Sequence, residues 1–577
     1  MKSADYEVEV GIIGYGTYVP WQRIKTEEIV KERNSNRKDL PEMLKKVKDG
    51  LLLLNKSVAC STEDQISIGF EAAENAVRMA GINPKDIKTI IVGSESKPFA
   101  VGKSSRYIAS FLGMGNDVFT SDIEGACNAG IEGIWLAQNS IKGGKSKYAL
   151  AIGADVAQAP KGDPLEYAAG AGAGAFVLGT ENLIAKIEDM KHYSSLKPDF
   201  WRRDSQTVPN HFGRTTTDTY IETVIGAMEE LFKSHENLRL SDFDYLTFHQ
   251  PSGYIPLKTC KTLIWEEIEK IKIKEDKERT DLLQLKISNR LEDIGLKGRL
   301  RLTYDDLEIK VKPNLRVSDT GNTYAGSTPI SVASILDKAK PGQNILAVSY
   351  GSGAYSTAMW LKVRDGIKGK TGMVPTVDDY VNRRKDLKIE DYGEFLEGQI
   401  KAFVQGYKEL KLAAKQFVKE NILEDRLVFR KMIGRSEPLT DDSYEISLCP
   451  ECERIYFPSR ESCMEWSHNN KLVRKSIPKV ARLVEFRKLS NEESLEQSMY
   501  DVYIRDWGIL VDCNETDLKE GMKIESVPRR LDYEGKNGLI IYGPAYRPIF
   551  RYNYPAYMST IQISDQKPLE HALKVAA

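Results

Sequence analysis

A helical pattern from about Glu63 to Ala80, followed by the apolar run Asp86-Ile87-Lys88-Thr89-Ile90-Ile91-Val92, has a second copy later in the chain. That copy is a helical pattern from about Tyr220, followed by Asp242-Phe243-Asp244-Tyr245-Leu246-Thr247-Phe248. A further pair, Tyr148-Ala149-Leu150-Ala151-Ile152-Gly153 and Asn344-Ile345-Leu346-Ala347-Val348-Ser349, precedes a turn-rich segment each time. The repetition predicts a duplicated α/β unit, and two fused halves would hold a site between them. Across residues 8–365 amphipathic helices alternate with short Val/Ile-rich runs that end in Gly, Ser or Asn. Functional side chains are therefore expected at strand ends.

The 577 residues exceed what one core holds, since single cores stop growing at roughly 250–300 residues. Residues 1–401 read as the α/β domain. Residues 265–301 interrupt it with ten basic and nine acidic side chains in helix-compatible spacing, which reads as a solvated surface insertion or, given its place between two site loops, a cap on a pocket. Residues 402–440 read as a helical linker, with Phe403, Tyr407, Leu410, Ala414 and Phe417 on one face. Residues 441–577 change to short strands, expected at Leu472 to Val484, Tyr500 to Val511, Met522 to Val527 and Leu539 to Ile541, and read as a separate small β domain.

Charge excludes some partners. Lys plus Arg is 82 and Asp plus Glu 83, so no chain-wide basic footprint for nucleic acid or anionic lipid exists. Seven cysteines, at 60, 127, 260, 449, 452, 463 and 513, are odd in number and unevenly spaced; they argue for a reducing compartment rather than a disulfide framework. The acidic, alternating start Met1 to Glu7 lacks signal-peptide character, and the charge-free stretch Pro341 to Leu361 is broken by Gln343, Asn344, serines and glycines. A cytoplasmic protein with no membrane span is expected.

Cys127 lies in Asp122-Ile123-Glu124-Gly125-Ala126-Cys127-Asn128-Ala129-Gly130, just before a helical pattern. A helix N-terminus favours thiolate. His249 ends the strand pattern Tyr245 to Phe248, ahead of Gln250-Pro251-Ser252-Gly253, and Glu95 has the same setting after Ile90-Ile91-Val92-Gly93-Ser94. The duplication thus directs an imidazole and a carboxylate from related strand ends. Asn322 and Ser352 lie in glycine-rich turns where backbone N–H groups can approach a ligand. Singly, each residue has a bland reading: a buried structural cysteine, a core histidine, a solvated glutamate, two loops. Together they supply a nucleophilic sulfur, proton transfer, an amide donor and an oxyanion hole, the requirements of acyl transfer.

Val92-Gly93-Ser94-Glu95, Ala126-Cys127, Phe248-His249, Gly321-Asn322, Ser349-Tyr350-Gly351-Ser352-Gly353 and Thr376-Val377-Asp378-Asp379-Tyr380, in that order, resemble the hydroxymethylglutaryl-CoA synthases of the thiolase superfamily, especially the archaeal type. The resemblance runs from about Val8 to Lys401. It implies a duplicated αβαβα core and a homodimer. Cys127 would be acylated by acetyl-CoA, and Glu95 would deprotonate the acetyl methyl group. His249 would orient or protonate acetoacetyl-CoA or a related β-ketoacyl-CoA, Asn322 would assist, and the N–H groups of Cys127 and Ser352 would hold the thioester oxygen. No cofactor takes part in that chemistry. A ketoacyl synthase shares the Cys-His-Asn set but has no use for a base at Glu95. A thiolase would need a second cysteine, and Cys260 lacks the context. A scaffold with little turnover is the reading from another class.

Cys449-Pro450-Glu451-Cys452 and Cys463 are similar to the zinc ribbon of small acyl-CoA-associated OB-fold proteins, and the following strands to their OB fold. The resemblance implies a structural zinc on Cys449, Cys452 and Cys463, with His468 standing in for the fourth cysteine where this chain has Trp466. It also implies an acyl-CoA or partner-docking role, the partner being a thiolase that makes acetoacetyl-CoA, and not nucleic-acid binding.

Overall fold

The computed structural model describes all residues except 1–7, 61, 158, 160, 204–207, 213, 265–274, 371, 391, 393–442, 449, 451–454, 457–471, 479, 483–484, 489–499, 504–506, 514–517, 520–521, 535–538 and 550–577. Nine strands form one sheet: Gly11–Tyr18 (β1), Ile87–Gly93 (β2), Phe119–Ile123 (β3), Tyr148–Val156 (β4), Ala171–Gly179 (β5), Ala185–Lys197 (β6), Tyr245–Phe248 (β7), Asn344–Gly351 (β8) and Gly353–Val363 (β9). Their order is β7-β8-β9-β6-β1-β5-β4-β2-β3. The duplication is plain in the pairing. β2 runs parallel to β4 and β7 parallel to β8, and each inner strand has an antiparallel neighbour, β5 or β9. β1 meets β6 at Gly11–Lys186 and Ile12–Ala185, joining the halves.

Helices Gln65–Ala80 (α1) and Ser104–Phe111 (α2) cover one outer face, through Ile66, Phe70, Ile108 and Phe111 against Ile90, Val92, Ile152 and Val177. Ala129–Lys142 (α3) and Ser327–Leu336 (α6) fill the middle, and Arg214–Lys233 (α4) covers the other outer face. The period-two rule decides this layering. In β8, Ile345 and Ala347 join the central core while Leu346 and Val348 face α4. A strand buried on both faces reads as one apolar run. The result is the layered, duplicated α/β core that the resemblance implies.

The charged insertion differs from expectation. Its helix Glu275–Asp293 (α5) turns Ile287 and Leu291 into the core with α4, and Leu296 and Leu300 follow. Arg290 and Lys286 reach Glu229 and Glu222 on α4 at 2.6 and 2.8 Å. The described part is a packing layer on α4, because its apolar residues share one face and its charges meet α4 acids.

In the C-terminal part, Ser443–Leu448 pairs with Ile455–Tyr456 and Val473–Pro478. A six-stranded sheet runs Val480–Arg482, Lys523–Glu534 (β10), Leu539–Pro548 (β11), Trp507–Leu510, Tyr500–Tyr503, Glu485–Lys488. The single strand expected at Tyr500 to Val511 is two antiparallel ones, and β10 and β11 run longer than their apolar runs suggested. Pro528 and Pro544 are ladder partners, so the missing donors fall on one rung. The linker 402–440 and Cys449, Cys452, Cys463 and His468 lie outside the described residues. Among the described residues no group of His, Cys, Asp and Glu could hold a metal ion, and no helix is long and apolar enough to cross a membrane.

This β unit docks on α1 of the core. Glu71, only 1% exposed, receives Arg529 at 2.7 Å and Arg547 at 2.8 Å. Asp512 receives Arg529 at 2.7 Å, and Glu525 receives Arg547 at 2.8 Å. The hydroxyl of Tyr18, at the end of β1, bonds Glu63 and lies 3.1 Å from Arg529. Desolvation makes such ions costly alone and mutually dependent. Glu71→Ala takes from each of two buried guanidinium groups one carboxylate partner, leaving Arg529 with Asp512 and Arg547 with Glu525; it should cost about 3 kcal/mol, read as a lower Tm.

Candidate active site

Cys127 sits on a single 3-10 turn, Ala126–Asn128, that opens α3. Ala126 has φ 43°, a left-handed conformation that favours glycine, so the turn stores about 1–3 kcal/mol of strain to present the thiol. Close approach comes from two glycines. A Cβ on Gly130 of α3, or on Gly153 of β4, would fall inside contact of the Ala325 carbonyl. Their absence of side chains lets the Cys127 turn meet the segment that carries Asn322.

The ends of β2 and β7 deliver Glu95 and His249, as the strand-end argument requires. Cys127 Sγ donates to Glu95 Oε1 at 3.4 Å. Burial, then the neighbouring Asp155 carboxylate, raises the Glu95 pKa to about 8. Burial, followed by the charges of Glu95 and Asp155, pushes the Cys127 thiol well up. The expected resting thiolate is thus overturned: the helix end is outweighed by desolvation and by facing acids.

His249 is buried, and burial lowers its pKa to about 3, so its imidazole is neutral. Its backbone N–H donates to the Val348 carbonyl on β8 at 2.9 Å, and its carbonyl accepts from the Tyr220 hydroxyl at 2.5 Å. The ring nitrogen Nδ1 has no protein partner. β8 is the link to the nucleophile, because Ser349 Oγ bonds the Cys127 carbonyl at 3.4 Å. Asn322 is fixed by its backbone to Ala168 and Gly170, and its Oδ1 accepts from the Tyr324 N–H at 2.9 Å. Tyr324 packs on Cys127. Ser352 occupies the turn after β8, where the Gly353 N–H donates to Asp199 at 2.9 Å. Cys260 is fully buried on the helix Tyr254–Thr262, away from any glycine-rich turn.

Two acids were missed. One oxygen of buried Asp155, near the end of β4, accepts four hydrogen bonds: from Ser94 Oγ at 2.8 Å, Glu95 N at 2.9 Å, Ser96 N at 3.0 Å and Ser96 Oγ at 2.6 Å. Its other oxygen takes the Ala325 N–H at 2.9 Å. It therefore ties the Glu95 loop to the Asn322 segment, and the strand-end rule applied to Tyr148-Ala149-Leu150-Ala151-Ile152-Gly153-Ala154-Asp155 could have found it. Asp199, which also accepts from Tyr350 Oη at 2.6 Å, stands in a loop without periodic signal.

Residues 211–424 match the family model described as hydroxymethylglutaryl-coenzyme A synthase C terminal, and residues 56–178 that of the thiolase N-terminal domain. The chain is 39% identical over 391 residues to a hydroxymethylglutaryl-CoA synthase of Methanopyrus kandleri, covering 67% of this chain and 96% of that protein. It is 40% identical over 360 residues to one from Archaeoglobus fulgidus, covering 62% and 90%. A crystal structure of an HMG-CoA synthase complexed with CoA has the same fold, with a TM-score of 0.54 at 23% identity, over 67% of this chain and 90% of that chain. A duplicated core with a thiol and a carboxylate in contact at its centre, and relatives matched over nearly their whole length, place this chain in the hydroxymethylglutaryl-CoA synthase family of the thiolase superfamily, as a carbon–carbon bond-forming acyl-CoA transferase.

Proposed function

We propose that Cys127, Glu95 and His249 carry out the condensation of acetyl-CoA with acetoacetyl-CoA. In the first step Cys127 Sγ forms a thioester with the acetyl group, the bond to CoA sulfur breaks, and the thiol proton leaves on CoA. Glu95 then takes a proton from the acetyl methyl group, and the carbanion attacks the acceptor ketone. The neutral His249 imidazole hydrogen-bonds the developing alkoxide, with Asn322 beside it, and the N–H groups of Cys127 and Ser352 hold the thioester oxygen. The alkoxide takes the proton that Glu95 removed, and water hydrolyses the thioester, breaking the bond to Cys127 Sγ, so that 3-hydroxy-3-methylglutaryl-CoA leaves with a free carboxyl group and Sγ regains its proton. The single observation that carries this reading is the 3.4 Å contact of Glu95 Oε1 with Cys127 Sγ, which leaves the carboxylate within reach of a methyl group one carbon beyond a sulfur-bound carbonyl.

A methyl group next to a thioester is a weak acid, so the base must be strong and the enolate held. A carboxyl raised to about 8 is the stronger base once ionised. Condensation is therefore expected to rise with pH through about 8, because Glu95 works deprotonated. Asp155→Asn removes a like charge, so that limb should move to lower pH, while the loosened Glu95 loop costs about a hundredfold in rate. A pH series of product formation checks both signs.

A chain that released no CoA with acetoacetyl-CoA as acceptor, but did so with longer or aromatic β-ketoacyl-CoAs, would move the assignment to another acceptor. Among the described residues no strand pairs with the outer edge of β3, where Phe119 is 63% exposed, which supports the homodimer; a sedimentation mass of one chain would overturn it. The cytoplasmic setting, the structural zinc on Cys449, Cys452 and Cys463, with His468 as fourth ligand, and the thiolase partner rest on the sequence. Fractionation, metal analysis of the full chain and co-purification with a thiolase test them.

A further inference from the structure

The contacts between the C-terminal β unit and the core reach beyond the ionic cluster on α1. Tyr542 on β11 is 2% exposed; its hydroxyl donates to Asp64 Oδ2 at 2.5 Å, on the same carboxylate whose other oxygen caps α1. Its ring lies 5.6 Å from Tyr107 and 5.5 Å from Phe111, both on α2. Tyr107 in turn stacks on Phe99, with ring centroids 5.5 Å apart and planes 16° from parallel. Phe99 lies midway along the loop 94–103 that carries Glu95. The loop is therefore pinned at two points. Asp155 holds Ser94, Glu95 and Ser96 from within the core, and the stack Phe99–Tyr107–Tyr542 holds its middle from the C-terminal unit.

We propose that Tyr542 is a positioning residue for the condensation: docked on α1, it fixes the loop of the base through Tyr107 and Phe99, so that the β unit completes the active site in cis. The inference rests on Glu95 being the base. The buried pairs of Arg529 and Arg547 with Glu71 set the register of docking, since each guanidinium is desolvated and tied to a helix carboxylate. Within that register the β10 backbone also bonds the core, Arg530 N to Thr62 O at 2.8 Å. Aromatic stacking fixes ring orientation as well as area, which suits it to holding a loop in place. A base displaced by about 1 Å loses on the order of a hundredfold in rate, whereas formation of the thioester on Cys127 breaks no carbon–hydrogen bond and makes no such demand on that carboxylate.

The test uses the full chain. Tyr542→Ala, Tyr542→Phe and Glu95→Gln are compared for the rate of acetylation of Cys127 by acetyl-CoA and for turnover of the acetylated enzyme with acetoacetyl-CoA across pH. Tyr542→Ala is expected to acetylate within about twofold of the parent but to condense at least about tenfold more slowly, with KM for acetoacetyl-CoA little changed and the rising pH limb displaced. Tyr542→Phe, which keeps the ring, should recover condensation to within about threefold. Normal condensation by Tyr542→Ala, or equal losses in both steps, would overturn the proposal in favour of a purely structural contact. Normal condensation by Glu95→Gln would overturn the base assignment itself, and this inference with it, whatever Tyr542 does.

Discussion

Glu95→Gln should leave Cys127 fully open to acetylation while lowering condensation by about 10²–10⁴-fold, the usual worth of a positioned general base. The substitution is nearly isosteric, and the amide oxygen can still accept from Cys127 Sγ, so the geometry of the thiol is kept. What is lost is the ability to take a proton. Acetyl-enzyme should accumulate, and its methyl protons should cease to exchange with deuterium from solvent. Mass spectrometry of the acetylated enzyme in heavy water reads both. Undiminished exchange would assign the proton transfer to another group.

Cys127→Ala should eliminate labelled acetyl on the protein and lower overall turnover by about 10⁴-fold or more, as expected when one member of an interdependent catalytic set is removed. The fold should survive, because Cys127 is a small buried side chain on a turn whose φ strain lies at Ala126. Radiolabelled acetyl-CoA, with and without later acetoacetyl-CoA, reads the effect directly. Label retained on the variant would place the acyl group on a different nucleophile. Burial and the facing carboxylates push the Cys127 thiol up, so modification of the free enzyme by iodoacetamide should be slow for a catalytic cysteine.

Much of the site was legible because an apolar run that stops at a polar residue is a local signal. Ile90 to Ser94 announced Glu95, and Tyr245 to Phe248 announced His249, since strands in such a sheet end where side chains meet a pocket. The same rule was not carried to Asp155, four hydrogen bonds at one oxygen notwithstanding. The thiolate expectation failed for a physical reason that sequence does not encode: how many carboxylates face a sulfur, and how dry the space is. The insertion was misread because charge density hides a one-sided apolar row, which only packing against α4 made visible in Ile287 and Leu291. β10 and β11 run beyond their apolar runs because each pairs with the other along its length, Pro528 opposite Pro544, which neither strand shows alone.

The sequence by itself determined the alternating elements, the duplication, the strand-end residues and the family, because periodicity and turn chemistry act over a few neighbouring residues. Tertiary structure alone decided that Cys127 Sγ and Glu95 Oε1 lie 3.4 Å apart, that Asp155 binds the base loop to the Asn322 segment, and that Glu71 meets Arg529 and Arg547 in a buried cluster. Those facts join residues distant along the chain. Their energies depend on desolvation and exact separation, quantities that exist only once the chain has closed on itself.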